Sequence, residues 1–237
     1  MIATRQCQPV RPNRGRSALL WLGGLTLPAM CLLNVPALAG PTLSGTITAD
    51  NTVYAYVSTN DSTLGTLFAS GETYQDPTSF SDIPLTPGVV NYLHFEVVNR
   101  GSIYGLLGSL SLSGTGASFA NGTSELNTGL TGWSSSSNDS NSGNTPQPWV
   151  TTTPGVSNEG VNGDITNPWG TTISAISADA DWIGVPGVAE NGLFTVDYST
   201  AISVAAIPEP TSLLALGAGL VGIFAVRRRS KAQHESM

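Results

Sequence analysis

The chain has 237 residues, with 9 Lys+Arg against 16 Asp+Glu, a formal net charge of −7, and only 11% charged residues in all. Residues 40–209 hold one cation, Arg100, and 15 of the carboxylates, so this body carries a net charge of −14. Such a surface excludes charge-driven binding to nucleic acid or anionic lipid. Both cysteines, Cys7 and Cys31, precede residue 40, which excludes disulfides, thiolate metal sites and a cysteine nucleophile from the body.

At the N-terminus, Arg5, Arg11, Arg14 and Arg16 form a basic region and residues 18–33 are mostly apolar. Ala37-Leu38-Ala39 then reads as a small-x-small cleavage site, which predicts a secretory signal helix over 1–39 and a mature chain starting at Gly40. Gly15 separates Arg14 from Arg16, so there is no adjacent arginine pair. Met30 before Cys31 is bulky where a lipidation site wants a small residue.

Residues 40–206 read as one all-β domain. In 89–98, Leu93, Phe95 and Val97 alternate with Tyr92, His94 and Glu96, a period of two with one face toward a core. In 51–58, Val53, Ala55 and Val57 alternate with Tyr54 and Tyr56. Residues 64–69, 106–112, 172–176, 193–198 and 201–205 are further predicted strands. Breaks at Pro87-Gly88, Asn121-Gly122, Pro154-Gly155, Pro186-Gly187 and Asn191-Gly192 separate the runs. Helix-period apolar stretches of useful length are missing, and short strands with frequent turns predict a β-sandwich. Residues 134–146, rich in Ser and Asn, have too little apolar surface to order themselves and read as a long loop within the domain. A linker between two smaller domains is the alternative.

The chemistry open to this body is narrow. His94 is its only histidine and sits in the phase opposite the predicted core, so it reads as a surface or inter-strand residue. No Gly-x-Ser-x-Gly elbow occurs, and a body without lysine cannot form a phosphate-cradling Gly-Lys-Ser/Thr loop. Asp179 and Asp181 are weak calcium candidates: two apart, they would share a strand face, and Asp50, Asp61 and Asp139 lie among oxygen-rich loop residues. No cofactor is expected otherwise. Trp182 reads as core. Trp133, Trp149 and Trp169 are candidates for stacking on sugar rings, whose apolar faces match an indole. Sequons at Asn60, Asn121 and Asn138 arise easily in so Ser/Thr/Asn-rich a chain.

The C-terminal end has three unlike parts in order. Pro208-Glu209-Pro210 forms a stiff boundary. Residues 211–226 carry no charge and include Leu213, Leu214, Leu216, Leu220 and Phe224. Arg227, Arg228, Arg229 and Lys231 follow, and then a polar tail over 232–237. As a helix, 211–226 would span about 24 Å at ~1.5 Å per residue, short of a ~30 Å bilayer core unless the flanking arginines snorkel. The basic cluster should stay cytoplasmic. This arrangement, over 207–231, resembles the PEP-CTERM sorting signal of Gram-negative bacteria. The resemblance implies export by the general secretion machinery and a transient membrane tether. Recognition and cutting near the Pro-Glu-Pro by the membrane protease exosortase would follow, with release to the cell surface or an exopolysaccharide matrix. A plain membrane anchor is the competing reading.

Over about 48–205 the chain also resembles, more weakly, a galactose-binding-like jelly-roll sandwich. The likeness rests on Thr48-Ala49-Asp50-Asn51, on Thr86-Pro87-Gly88 leading into 89–95, on Gly105-Leu106-Leu107-Gly108, on Asn167-Pro168-Trp169-Gly170, and on Asp179-Ala180-Asp181-Trp182-Ile183. Members often show Trp-Ile-Trp there; Gly184 stands at the second Trp position. The expectation is therefore a non-enzymatic exported surface or matrix protein. A carbohydrate-binding module is the alternative, and a matrix-polysaccharide hydrolase with paired carboxylates is less favoured.

Overall fold

The structure, a computed structural model, describes residues 39–138, 148–164, 169–188, 192–207 and 217. The chain divides into two compact units, Met1–Pro36 and Ala37–Met237, and every described residue lies in the second. The predicted signal helix up to Ala37, the sorting residues Pro208, Glu209 and Pro210, the helix over 211–226 apart from Gly217, the basic cluster and Asp139 all lie outside the described residues.

Thirteen strands are formed by the described residues, arranged as two antiparallel sheets. The strands are β1 (Thr42–Asp50), β2 (Thr52–Ser58), β3 (Thr66–Gly71), β4 (Thr78–Pro84), β5 (Val90–Arg100), β6 (Gly105–Ser113), β7 (Ala117–Phe119), β8 (Glu125–Asn127), β9 (Ser134–Asn138), β10 (Thr153–Pro154), β11 (Ser157–Val161), β12 (Asp181–Gly184) and β13 (Leu193–Val204). The first sheet runs β11-β12-β6-β1-β4, with β8 also on β6. The second runs β10-β9-β13-β5-β2-β3, with β7 also on β13.

The predicted alternation of β2 and β5 is what packs the sandwich. Val53, Ala55, Leu93, Phe95 and Val97 meet Leu43, Ile47, Leu106, Leu110 and Ile183 of the first sheet in one buried cluster. With no disulfide available, the stability of this body rests on that apolar contact, at roughly 1.5–3 kcal/mol for each large side chain buried. β13 supplies Phe194, Val196, Tyr198, Ile202 and Val204 to the same cluster.

Three expectations are corrected. The predicted strands over 193–198 and 201–205 are one strand, because the polar pair Ser199-Thr200 keeps the alternation, with Ser199 outward and Thr200 inward opposite Leu93. Residues 172–176 form turns rather than a strand, closed by a bond from the Ile176 amide to the Ile173 carbonyl. The segment read as a loop from residue 134 begins with β9, whose Ser134–Asn138 backbone pairs in register with β13. The backbone ladder holds it, together with the Ser135 hydroxyl, which donates to the Gly155 carbonyl at 2.6 Å, and the Asn138 amide, which donates to the Pro148 carbonyl at 3.0 Å.

Two tyrosines bind strand β12 into place. Tyr198 of β13 donates from its hydroxyl across the sandwich to the Ile183 carbonyl at 3.1 Å. Tyr104, between β5 and β6, donates to the Val185 carbonyl at 3.2 Å and accepts from the Val185 amide at 3.0 Å. Replacing Tyr104→Phe removes the partner of both Val185 groups while keeping the ring. Leaving buried polar groups unpaired costs about 1–3 kcal/mol, and urea unfolding of the variant should show a loss of that size with an unchanged m-value.

Candidate functional site

The outer face of the second sheet collects the polar residues that alternate with the core. The register sets Glu96 of β5 between Tyr54 of β2 and Asp197 of β13, and His94 between Tyr56 and Ser199. A period-two strand predicts an exposed face here, with His94 a surface or inter-strand residue. Instead His94, Glu96 and Asp197 are fully buried, at 0% exposure. The reason is a cover contributed by two distant loops.

The first loop, 59–65, is a turn made by Asn60, whose Oδ1 accepts from the Ser62 amide at 3.0 Å. It places Asp61 Oδ1 3.3 Å from His94 Nε2 and the Leu64 carbonyl 3.2 Å from His94 Nδ1. The second, 148–152, lays Trp149 on the imidazole with ring centroids 4.0 Å apart and planes at 27°. Trp149 Nε1 donates to the Asp61 carbonyl at 2.8 Å, which ties the two loops together. The Tyr92 ring, two residues before His94 on the same strand face, has its centroid 6.2 Å from the imidazole and is inclined to it by 24°. Of the three tryptophans considered for sugar stacking, Trp149 is the half-buried one, and its ring lies against His94.

The electrostatics follow from this covering. Burial pushes the Asp197 carboxyl up to about 8; the Val150 amide, donating at 3.1 Å, opposes the shift, and the charge of Glu96 beside it adds to it. Tyr56 is held well above the usual phenol range by burial and then by Glu96, to which it is hydrogen-bonded. Burial lowers His94, against the pull of Asp61 and the Leu64 carbonyl.

Beside the cover the sheet has a notch. β9 pairs with β13 up to Ser199 and β7 pairs with it from Ile202, so Thr200 and Ala201 have neither strand beside them. A groove of about 470 Å³ opens there, lined by Asp61, Tyr92, Trp133, Thr152, Ser199 and Thr200 among others. Trp133, at 4% exposure, closes its inner end; the indole packs on Phe95 and Nε1 donates to the Asn127 carbonyl at 3.0 Å. Thr152 and Ser199 share a hydroxyl–hydroxyl bond of 2.6 Å. Sequence reasoning named Trp133 and missed Tyr92, Thr152, Ser199 and Thr200, since nothing local marks the place where two edge strands fall short of each other.

The remaining candidates lie elsewhere. Trp169, at 5% exposure, stacks on Trp182 at 4.0 Å and 9°, and Nε1 donates to Asp50 Oδ2 at 3.0 Å. Trp182 is buried as expected, but in a second cluster with Leu107, Ile173, Ile176 and Ala180 on the outer face of the first sheet. Gly105 makes this stack possible, since a Cβ there would lie 3.0 Å from the Trp169 ring. Trp133 and Trp169 therefore do not present the exposed ring faces that stacking on a sugar requires. Gly184 is crowded by Ser157, whose Oγ would sit 2.8 Å from an added Cβ, so β12 has no room for a second Trp. Asp179 and Asp181 do not share a strand, because Asp179 is in a turn and β12 starts at Asp181. Asp181 accepts instead from Asn158 Nδ2 at 2.7 Å. Among the described residues no group of three metal-ligating side chains occurs.

The sandwich defines an all-β body with one covered polar face and a side groove. Comparison with known proteins adds one finding: residues 206–229 match the PEP-CTERM protein-sorting motif. Searches of curated proteins and of solved structures find no match. The motif implies an exported protein sorted by exosortase in a Gram-negative bacterium, and it begins two residues beyond the end of β13.

Asp197 generates a pH prediction with a definite sign. Its folded-state affinity for a proton exceeds its unfolded one, so the stability it contributes is complete below pH ~4 and is lost as pH rises toward 8. Asp197→Asn keeps an acceptor for Val150 and removes the titration. Melting temperatures of the two proteins from pH 4 to 9 should diverge, the variant gaining on the parent until about pH 8 and running parallel beyond it.

Proposed function

We propose that the protein is a non-enzymatic component of the cell surface or exopolysaccharide matrix, its body a jelly-roll-like sandwich. In this reading the general secretion machinery exports residues 40–206. A helix over 211–226 and the cluster Arg227, Arg228, Arg229 and Lys231 hold the chain briefly in the membrane, and exosortase cuts near Pro208, Glu209 and Pro210. The observation that carries the reading is the motif over 206–229, placed directly after the last strand of the body. The net charge of −14 over 40–209 supports a soluble, self-repelling product once the basic ends are gone.

The non-enzymatic part draws support from the one close carboxylate pair described above. A glycoside hydrolase needs its two carboxyl groups facing a substrate across a cleft. Glu96 and Asp197 instead sit side by side on one sheet face, beneath a cover and away from solvent.

Sorting is tested by replacing Pro208, Glu209 and Pro210 with alanine in the native host and fractionating the cells. The parent should leave the membrane fraction, and the triple variant should stay there at full length. Equal release of both proteins would overturn the reading.

A further inference from the structure

We propose that the end of the sandwich at which the chain enters and leaves docks on a lipid bilayer, with Val89 and Val90 seated in the interface, for as long as the protein is tethered. This rests on the reading of residues 211–226 as a membrane helix and adds how the body stands on that anchor.

The strand registers bring four chain segments to this end. β1 starts there with Thr42 beside Pro84 of β4 and Ser113 of β6, and β13 finishes there with Ser203 beside Val90 and Val204 beside Ala117. The Leu85 amide donates to the Pro41 carbonyl at 3.1 Å, the Gly88 amide to the Val204 carbonyl at 3.1 Å and the Ala205 amide to the Gly116 carbonyl at 2.7 Å, so the segments are fixed to one another. Gly40, the predicted mature N-terminus, lies beside Ile207: a Cβ added to Gly40 would stand 3.9 Å from Ile207 Cδ1. Both ends of the body therefore leave from one place.

Composition sets this end apart. Residues 39–42, 84–90, 113–117 and 203–207 contain no charged side chain, in a body of net charge −14. Along the strands, carboxylates begin at Asp82, two residues inside the end of β4, and at Glu125, which pairs with Ser111, two residues inside the end of β6. Two strand residues set a carboxylate about 7 Å back. Asp61 is turned to His94, four residues inside β5. The far end of the same strands carries Asp50, Glu72, Asp76 and Arg100 instead. Val89 and Val90 are 43% and 40% exposed, beside an exposed Pro87. The sandwich is thus polarised along its strands, with an uncharged, partly apolar end and a charged one.

Chain length selects the occupant. Only Pro208, Glu209 and Pro210 separate Ile207 from the apolar run that opens at Thr211. From residue 207 to residue 211 an extended chain spans at most about 14 Å, and the headgroup layer takes up roughly 5–8 Å of that. An anchored body therefore keeps this end at the membrane surface. β5 and β13 pair from Leu193 to Ser203, roughly 34 Å at ~3.4 Å per residue, which holds the charged end well out in water. Lying on its side the body would press carboxylates toward lipid phosphates, whereas standing on this end it presents none. A single myristoyl chain gives only marginal, reversible membrane binding. Two valines bury less, so the contact orients the body without retaining it once the tether is cut.

The test uses the full chain with Pro208, Glu209 and Pro210 replaced by alanine, the form expected to stay in the membrane, with Cys7→Ser and Cys31→Ser added. The body contains no cysteine, so Thr86→Cys at the docking end and Gln75→Cys at the far end, both exposed, each give one bimane label. The purified proteins are reconstituted in phosphatidylcholine vesicles carrying a doxyl-labelled lipid. Quenching at Thr86 should exceed that at Gln75 by at least about twofold, since lipid-facing groups sit within the interface. Val89→Glu with Val90→Glu should bring Thr86 down to the Gln75 level, and Leu193→Glu, the same change at the far end, should leave it unaltered. Near-ultraviolet circular dichroism verifies that each variant is folded. Three results would overturn the proposal: equal quenching at the two positions, unaltered Thr86 quenching in the folded double valine variant, or a Thr86 label shielded from water yet not quenched by lipid, which would assign this end to a protein neighbour. Failure to recover any membrane-held protein would instead remove the sorting reading, and this proposal with it.

Discussion

The pairing of β5 with β13 is the constraint on which the rest of the body depends. It runs in unbroken register from Leu193 opposite Arg100 to Ser203 opposite Val90, in the middle of the second sheet. One face of the pair sends Leu93, Phe95, Val97, Val196, Tyr198 and Ile202 into the sandwich, and the other sends out His94, Glu96, Asp197 and Ser199. A slip of one residue would exchange the two sets, placing carboxylates in the core. The long register also leaves β13 with a free side on which β9 and β7 share the available edge, and the groove is the gap between them.

Loops cover part of both outer faces of this sandwich, whereas antiparallel sheets commonly leave one side wet. The first sheet carries the turns of 169–180, pinned by Trp169 on Trp182 and by Asn162, whose side chain bonds the Ile173 amide and the carbonyls of Ile173, Ile176 and Ser177. The second carries 59–65 and 148–152, pinned by Trp149. A body without cysteines and with one cation has few means of fastening a loop. Trp149 and Trp169 do it here, each combining a stacked face with one N–H donated to an oxygen. The tryptophans thus spend most of their surface on the fold.

The parts legible in the sequence were those with strict alternation against an apolar core: β2, β5 and much of β6 follow their patterns closely. β4 and β9 were missed because an edge strand or a Ser-rich one carries no apolar period, and backbone pairing is invisible in side-chain chemistry. Ile173 and Ile176 looked like strand residues, yet they are apolar because a turn presses them onto Leu107. The burial of His94, Glu96 and Asp197 was illegible for a different reason: their cover comes from Asp61 and Trp149, more than thirty residues away in sequence from His94. The sorting motif was legible in full, since its meaning lies in the order of three local compositions and needs no tertiary contact.

Export of the acidic body and its release from the C-terminal signal together set both ends of the mature chain. The intact mass of the protein from the native host, measured separately in the membrane fraction and in the extracellular material, tests this most directly. The expected result is an extracellular species that starts near Gly40 and ends near Pro208. A membrane-bound species that still carries Arg227 to Lys231, with no shorter form outside the cell, would contradict it.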